Sequence, residues 1–326
     1  MSRRVLITGG AGFIGSHLAD YLIQQGHVVH VIDNLSTGKL SNISHLFDHP
    51  CFHFDEGDVV DDQDLRDVVS QVDVIYHLAA VVGTFQVVKK PISVLKTNIT
   101  GTERVLEAVA DSEAKPHLFF ASTSEVYGAP NIEFLSEDSP LVIDSSEHYP
   151  WHYAISKITG EAYCQTYAQM FDVKATILRF FNIIGPNQTG KYGMVIPRFI
   201  QQALVGEPIT IFGDGKHERS FCDVRDVVRI LALLPHYEDS IGRILNVGST
   251  DLISIIDLAK LIKELTNSSS EFTFFGYDKV YDENFKDIKR RRPDLTALHQ
   301  LIPFEYEWNL TATLQDLIRR ARELHG

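Results

Sequence analysis

The stretch Val5-Leu6-Ile7-Thr8-Gly9-Gly10-Ala11-Gly12-Phe13-Ile14-Gly15 decides the fold that this sequence predicts. Its first four residues indicate a buried strand, and the amphipathic run over 14–25 indicates a helix. Gly9, Gly12 and Gly15 lie where the strand turns into the helix. Because glycine has no Cβ, such a loop lets a pyrophosphate approach the backbone N–H groups at the helix N-terminus. The stretch therefore predicts a dinucleotide-binding turn.

An acidic residue follows at the distance that a dinucleotide site requires. Asp33 stands at the end of the second predicted strand, where a carboxylate accepts hydrogen bonds from both hydroxyls of an adenosine ribose. It also repels a 2′-phosphate, so the sequence predicts NAD rather than NADP. Asp58 is a candidate contact of the adenine, with a solvated loop carboxylate as the alternative. The predicted cofactor site comprises Gly9, Gly12, Phe13, Ile14, Gly15, Asp33, Asn34, Asp58, Val59, Leu78, Ala79, Ala80, Tyr153 and Lys157.

Strand-like and helix-like runs continue to alternate beyond this turn. Short β-branched runs predict strands, and the amphipathic runs between them predict helices that connect one strand to the next. This order predicts an α/β protein with a doubly wound parallel sheet, the Rossmann arrangement. The predicted strands cover 5–8, 27–32, 51–56, 74–77, 117–121 and 174–180, and the predicted helices cover 14–25, 61–69, 91–109 and 153–171.

After residue 182 the runs become shorter and turns become frequent. We therefore assign residues 1–182 to an NAD-binding domain, and residues 183–326 mainly to a smaller, interleaved C-terminal lobe that binds the substrate. Later helices and strands are expected to return to the sheet. The helical runs 223–234 and 254–265 are the candidates for this return.

The composition narrows the class of protein. With 44% hydrophobic and 22% charged residues over 326 positions, the chain resembles soluble globular proteins rather than disordered or collagen-like ones. A net charge of −13 argues against nucleic-acid and membrane partners. Three scattered cysteines, no visible leader and no long apolar stretch predict a cytoplasmic location. The histidines show no metal-ligand spacing, so no metal is expected.

Two groups of residues form a candidate catalytic site. Tyr153 and Lys157 are four apart on a predicted helix and share a face, so the ammonium and the positive nicotinamide of NAD are together expected to lower the pKa of the phenol. Such a pair can remove a hydroxyl proton while a hydride leaves for NAD, whereas the alternative is a half-buried tyrosine beside a surface lysine. Thr123 is expected to bind the same hydroxyl. Ser124 and Glu125 follow it at the carboxyl end of a strand, where such sheets bind ligands; the alternative is a polar turn.

Together with Arg179-Phe180-Phe181-Asn182, these motifs resemble the extended short-chain dehydrogenase/reductases that modify nucleotide sugars. The resemblance covers essentially the whole chain. It implies a nucleotide-sugar substrate, a bound NAD and oxidation of sugar carbon 4 to a transient ketone. It also implies a homodimer formed through the helices predicted over 91–109 and 153–171.

Members of this family differ in the fate of the 4-ketone. Epimerases reduce it from the other face, 4,6-dehydratases eliminate water, and UDP-glucuronate decarboxylases lose carbon 6 as carbon dioxide. The triplet Thr123-Ser124-Glu125 resembles that of the UDP-glucuronate decarboxylases and that of the GDP-mannose 4,6-dehydratases. The segments 281–288 and 291–294 resemble those of the decarboxylases, which we assign first. The dehydratases of dTDP-glucose carry an acid at the position of Ser124, and serine is a poor proton donor.

Other functions stay open at this point. The segment 81–85, where the sugar is expected to lie, has no arginine to hold a uronate carboxylate. A UDP-sugar 4-epimerase acting on a uronate or an N-acetylhexosamine is therefore the alternative, followed by a nucleotide-sugar 4,6-dehydratase. From other classes, the rivals are a non-catalytic NAD-binding sensor and a reductase that consumes NADH.

The resemblance also implies which residues contact the substrate. Asn182 matches the family position that contacts the sugar or the diphosphate, and Arg219 and Arg291 match arginines that reach the diphosphate. Guanidinium groups suit phosphate, which explains how an acidic protein holds an anionic ligand. Of the three arginines at 290–292, at most one is expected to point inward, and we predict Arg291. Thr84 completes the predicted substrate site.

Overall fold

The computed structural model describes residues 2–61, 65–83, 91–128, 130, 132–143, 150–190, 194–276 and 290–325. Its main layer is a seven-stranded sheet in the order β11-β6-β5-β4-β1-β2-β3, and all neighbouring strands pair in parallel. These strands are β1 (Arg4–Thr8), β2 (Val28–Asp33), β3 (Phe52–Glu56), β4 (Val74–His77), β5 (His117–Thr123), β6 (Ala175–Phe180) and β11 (Ile244–Val247). The doubly wound α/β fold and its six predicted strands are confirmed.

Helices cover both faces of this sheet. Val5 and Ile7 of β1 face one apolar cluster and Leu6 faces another, as the alternation of side chains along a strand requires. The helices are α1 (Phe13–Gln24), α2 (Leu65–Val69), α3 (Pro91–Leu95), α4 (Gly101–Asp111), α5 (Pro150–Phe171), α6 (Val195–Val205), α7 (Val224–Leu233), α8 (Ile255–Thr266), α9 (Thr296–Leu301) and α10 (Leu310–His325). Helices α1 and α7 pack on the first face, and α2, α4 and α5 on the second.

The helix predicted over 91–109 differs in its middle. A π-helical turn, Lys96–Thr100, separates α3 from α4 and contains the buried side chain of Asn98. The apolar periodicity predicted a continuous helix because one wider turn changes the spacing too little to be read from the sequence. Such turns frequently lie at functional sites.

Short strands and three helices form a second, smaller core. Helices α6, α8 and α10 share one apolar cluster, with β8 (Ile209–Phe212) and β13 (Phe272–Phe275) beside it. One prediction for the residues beyond 182 needs correction, and one strand there was not predicted. The helix predicted over 254–265 packs in this smaller core rather than on the sheet, whereas α7 does cover the sheet. Strand β11 was not predicted, because a buried asparagine interrupts its short apolar run.

The remaining strands bring the smaller core to the carboxyl ends of the sheet. β7 (Ile183–Ile184) pairs with β10 (Cys222–Asp223), and β9 (Glu218–Ser220) lies between β12 (Leu252–Ser254) and β14 (Arg290–Arg291). Because the sheet order reverses between β1 and β4, the crevice outside their carboxyl ends is the expected ligand site. These short strands close that crevice from above.

One buried carboxylate attaches the C-terminal segment to the sheet layer. Asp226 on α7 is fully buried and accepts hydrogen bonds from the backbone N–H groups of Glu307 and Trp308, both at 3.0 Å. The guanidinium of Arg229 contacts the same carboxylate at 2.9 Å. The segment leading into α10 is thereby held against α7.

Replacing this carboxylate is expected to destabilise the protein. Asp226→Ala leaves two backbone N–H groups without their acceptor, so we expect the free energy of unfolding to fall by about 3 kcal/mol. Urea denaturation followed by circular dichroism measures the change. The exposed Asp239 supplies a matched control, because Asp239→Ala should alter stability by less than about 0.5 kcal/mol. Equal effects of the two substitutions would contradict the anchoring role.

Candidate active site

A cavity of about 530 Å³ opens where β1, β2, β4 and β5 end. The glycine loop lies at one end of it, and Arg219 and Arg291 line it as well. All of the predicted cofactor residues and the triplet 123–125 line this single cavity, together with Asn182. Thr84, which was predicted to contact the substrate, lies outside the described residues, as does the segment 281–288.

The glycine loop is shaped to bring a ligand against backbone. Gly9 has a φ of +74°, and a Cβ there would lie 2.7 Å from the backbone nitrogen of Ala79. A Cβ on Gly15 would lie 2.4 Å from the carbonyl oxygen of Gly9. Gly12 precedes α1 and offers no side-chain cap, and the first-turn residues Phe13, Ile14 and Gly15 line the cavity. This cradle fits the pyrophosphate of a dinucleotide.

Asp33 is held rigidly at the end of β2. Its side chain accepts hydrogen bonds from the N–H groups of Ala11 at 3.0 Å and Leu35 at 2.8 Å. Burial raises the pKa of this carboxyl, and hydrogen bonds from the backbone N–H groups of Leu35, Ala11 and Gly12 oppose that rise. Asn34 donates to Asp58 at 2.8 Å, which places the second predicted carboxylate beside the first.

Lys157 lies buried on α5, on the same face as Tyr153. Its ammonium donates to the carbonyl oxygen of Ala121 at 2.7 Å and lies 4.9 Å from the ring centre of Phe120. Burial lowers the pKa of Lys157 to about 8. The apolar surroundings thus weaken the charge that the Tyr-Lys spacing was expected to supply.

The pKa of Tyr153 departs from the sequence-based expectation. Burial raises it, the negative charge of Glu125 raises it further, and a hydrogen bond with the hydroxyl of Thr123 is the opposing influence. The positive charge of Lys157 is not among these causes, so in the protein without its cofactor the ammonium does not offset the effect of burial. In the chain alone, the phenol is therefore protonated at neutral pH.

The triplet at the end of β5 begins a 3-10 turn, Ser124–Tyr127. The backbone N–H of Glu125 donates to the hydroxyl of Thr123 at 3.3 Å, and Ser124 is buried. The Glu125 carboxylate lies 3.6 Å from a guanidinium nitrogen of Arg291. An acid and a cation thus meet beside Tyr153.

Arg291 and Arg219 are neighbours on the adjacent parallel strands β14 and β9. The other two arginines of the run turn away from the cavity, because Arg290 pairs with Glu218 at 2.6 Å and Arg292 donates to the Thr250 carbonyl at 3.0 Å. Asn182 also lines the cavity, and its amide donates to the carbonyl oxygen of Ser220 at 3.0 Å.

The sequence analysis did not identify Asn98 or Ser156. Asn98 bonds both backbone groups of Val81, at 2.8 and 3.3 Å, and donates to the hydroxyl of Ser156 at 3.1 Å. That hydroxyl donates to the carbonyl oxygen of Tyr153 at 2.7 Å. These hydrogen bonds connect Val81, in the wall of the cavity, to the backbone of Tyr153. A polar residue on the buried face of a predicted helix was the available signal.

Within the described ranges, no group of three or more His, Cys, Asp or Glu side chains is arranged to hold a metal ion. None of the helices described in the structure has the length and apolar character needed to cross a bilayer.

Comparison with known proteins places this geometry in a family. Residues 5–248 match the model of the NAD dependent epimerase/dehydratase family. UDP-N-acetyl-alpha-D-glucosaminuronate decarboxylase of Bacillus cytotoxicus is 38% identical over 329 aligned residues, covering 100% of both chains. UDP-glucuronic acid decarboxylase 1 of Xenopus tropicalis is 36% identical over 93% of this chain and 68% of that protein.

A solved structure extends the comparison to three dimensions. UDP-glucuronic acid 4-epimerase from Bacillus cereus, in complex with UDP-glucuronic acid and NAD, superposes with a TM-score of 0.86. It is 29% identical, over 98% of this chain and 99% of its own. The chain belongs to the NAD dependent epimerase/dehydratase family. It is therefore an enzyme with NAD as its cofactor, as the sequence predicted.

The charge of Glu125 provides a test of the site. Because the negative charge of Glu125 raises the pKa of Tyr153, Glu125→Gln should lower that pKa. Ultraviolet titration of tyrosinate absorbance measures it, with the matching Tyr153→Phe protein subtracted to isolate this phenol. The exposed Glu133 provides the control, since Glu133→Gln should leave the Tyr153 titration unchanged. A higher pKa in Glu125→Gln would contradict the described electrostatics.

Proposed function

We propose that this enzyme decarboxylates a UDP-linked uronate, either UDP-glucuronate or its 2-acetamido counterpart. The observation that carries the proposal is the Glu125–Arg291 pair in the cavity, 3.6 Å apart and beside Tyr153. Two of the relatives described above, including one of matching length, carry decarboxylase names. In this proposal Arg291, which the resemblance assigned to the diphosphate, instead supplies the cation for the uronate carboxylate that the segment 81–85 lacks.

NAD fits the cavity through the chain's own groups. The glycine loop and the first turn of α1 are suited to its pyrophosphate, and Asp33 to its adenosine ribose, with Asn34 and Asp58 beside it. When bound, NAD supplies hydride transfer from and to carbon 4 of the sugar. Lys157 and Tyr153 line the part of the cavity where we place this chemistry.

Tyr153 acts as the base in this proposal once NAD is bound, because the positive charge of the nicotinamide would favour the phenolate that burial and Glu125 disfavour in the protein without its cofactor. It takes the proton of the 4-hydroxyl as the hydride leaves, while the Thr123 hydroxyl holds the same oxygen. The hydrogen bond from the Lys157 ammonium to the carbonyl oxygen of Ala121 holds this ammonium close to the end of β5. The bond between Thr123 and Tyr153 already exists in the chain alone, so the two groups are preorganised for one oxygen.

The 4-ketone then drives the loss of carbon dioxide. The C5–C6 bond breaks, its electron pair moves to the carbonyl oxygen held by Tyr153 and Thr123, and a proton adds at carbon 5. Return of the hydride to carbon 4 completes the reaction, so a uronate and a proton give a pentose and carbon dioxide. Arg291 binds the uronate carboxylate, and repulsion from Glu125 is relieved as neutral carbon dioxide departs.

A UDP-uronate 4-epimerase is the second candidate. It is favoured by the similarity to the solved UDP-glucuronic acid 4-epimerase, whose structure contains UDP-glucuronic acid and NAD. A 4,6-dehydratase is disfavoured because Ser124 is a buried serine, which is a weak acid. The presence of both Tyr153 and Lys157 in the cavity argues against a sensor without activity.

Product analysis tests the proposed function. The protein with NAD should convert UDP-glucuronate or UDP-N-acetylglucosaminuronate to a product lighter by carbon dioxide, with no net change in NADH absorbance. Mass spectrometry and NMR read the products. UDP-glucose serves as the substrate without a carboxylate, and Tyr153→Phe should retain NAD but lose nearly all turnover. A product of unchanged mass with inverted carbon 4 would establish the epimerase instead.

We also propose that the enzyme is a homodimer formed through α5 and the helices at 91–111. On α5, the exposed Ala162, Thr166 and Met170 lie on one outward face. Such a face of small and apolar side chains permits close helix packing against a second copy.

A charge on this face should separate the subunits. We expect light scattering to report twice the 36.7 kDa mass of the chain, and the monomer mass for Thr166→Arg, because a guanidinium cannot be buried unpaired. Thr311→Arg, on the exposed part of α10, is the matched control and should remain dimeric. An unchanged mass for Thr166→Arg would place the interface elsewhere.

A further inference from the structure

The side chain of Asn246 does not line the cavity, yet it connects the two segments that carry its charged pair. Asn246 is fully buried on β11. Its amide nitrogen donates to the carbonyl oxygens of Leu135 at 2.8 Å and Asp294 at 3.1 Å. Its amide oxygen accepts the hydroxyl of Tyr127 at 2.6 Å. Each polar atom of this side chain is therefore used.

The first of these contacts holds the segment that carries Arg291. Leu135 donates its N–H to the carbonyl oxygen of Arg292 at 2.9 Å and accepts the N–H of Asp294 at 2.9 Å. Asn246 joins both members of this short bridge through its amide nitrogen. Arg291 is the residue directly before the bridge, so its backbone is fixed on the C-terminal side by these bonds.

The second contact holds the turn that carries Glu125. Tyr127 ends the 3-10 turn that begins with Ser124, two residues beyond Glu125. Its ring packs against the guanidinium of Arg179 at 4.7 Å, and Asn246 fixes its hydroxyl. The position of the Glu125 backbone thus depends on a ring that is anchored at both its face and its hydroxyl.

We propose that Asn246 is a positioning residue that sets the separation of Glu125 and Arg291 and thereby selects ligands with a carboxylate at carbon 6. Neither charged residue lies within a long element, since one is in a four-residue turn and the other in a two-residue strand. A buried amide that binds both segments supplies the rigidity that these elements lack. The inference rests on the proposed function, because it takes the pair as the carboxylate site.

The test compares two ligands that differ in the carboxylate alone. In the Tyr153→Phe background, which prevents turnover, calorimetry measures the affinity of NAD-loaded protein for UDP-glucuronate and for UDP-xylose. Asn246→Asp keeps the acceptor for Tyr127 but removes both donations to carbonyl oxygens. We expect it to weaken UDP-glucuronate about tenfold and UDP-xylose less than about twofold.

A double-substitution cycle shows whether the effect passes through Arg291. In protein that already carries Arg291→Ala, Asn246→Asp should produce no further loss of UDP-glucuronate affinity. Equal weakening of both ligands, or additive losses in the cycle, would overturn the inference in favour of a general structural role. The exposed Asn267 supplies the matched control, and Asn267→Asp should leave both affinities unchanged.

A milder variant covers the case in which Asn246→Asp does not fold. Tyr127→Phe removes only the hydrogen bond from the tyrosine hydroxyl to Asn246 and should weaken UDP-glucuronate binding selectively, but less than Asn246→Asp does. An equal loss of affinity for both ligands would again overturn the inference. The proposed function is tested by a different result, because it requires the unaltered protein to release carbon dioxide from a UDP-uronate. A protein that binds both ligands but releases no carbon dioxide would refute decarboxylation, and the measured affinities would still decide the role of Asn246.

Discussion

A buried ion pair between Glu161 and Arg179 underlies the rest of the site. The guanidinium on β6 meets the carboxylate on α5 through two hydrogen bonds, at 2.7 and 2.9 Å, and both side chains are almost fully buried. Removing either partner would leave an unpaired charge in the core, at a cost of about 3–5 kcal/mol. Since Glu161 lies one turn beyond Lys157, this pair fixes the rotation of α5 and the direction of its catalytic face.

The same pair organises the strand on the other side of the cavity. Ser122 donates to Glu161, and Ser122 directly precedes Thr123. The helix with Tyr153 and the strand end with Thr123 therefore share one buried anchor. This arrangement explains how two hydroxyl groups from distant parts of the chain meet in the chain alone.

The sequence predicted what depends on local pattern. The six strands and the cofactor loop follow from short apolar runs and from glycines at a strand-to-helix turn, and Tyr153 and Lys157 follow from their spacing. Strand β11 was not predicted, because Asn246 interrupts its apolar run. That same asparagine connects two segments of the site. The pKa of Tyr153 also could not be predicted, since burial and the nearby Glu125 arise from tertiary packing. A smaller lobe after residue 182 was predicted, but most of its short strands were not, because these elements acquire their partners through long-range contacts.

The side-by-side placement of Arg219 and Arg291 has a consequence for folding. Two like charges at paired positions of a small sheet repel each other, and the pairing of Arg290 with Glu218 next to them offsets part of that repulsion. The carboxylate that we propose for Arg291 and the diphosphate expected at Arg219 would place negative charge at both guanidinium groups and offset this repulsion. Ligand binding and the stability of this small sheet are then thermodynamically linked, so the strands that line the crevice should be more stable with the nucleotide sugar bound.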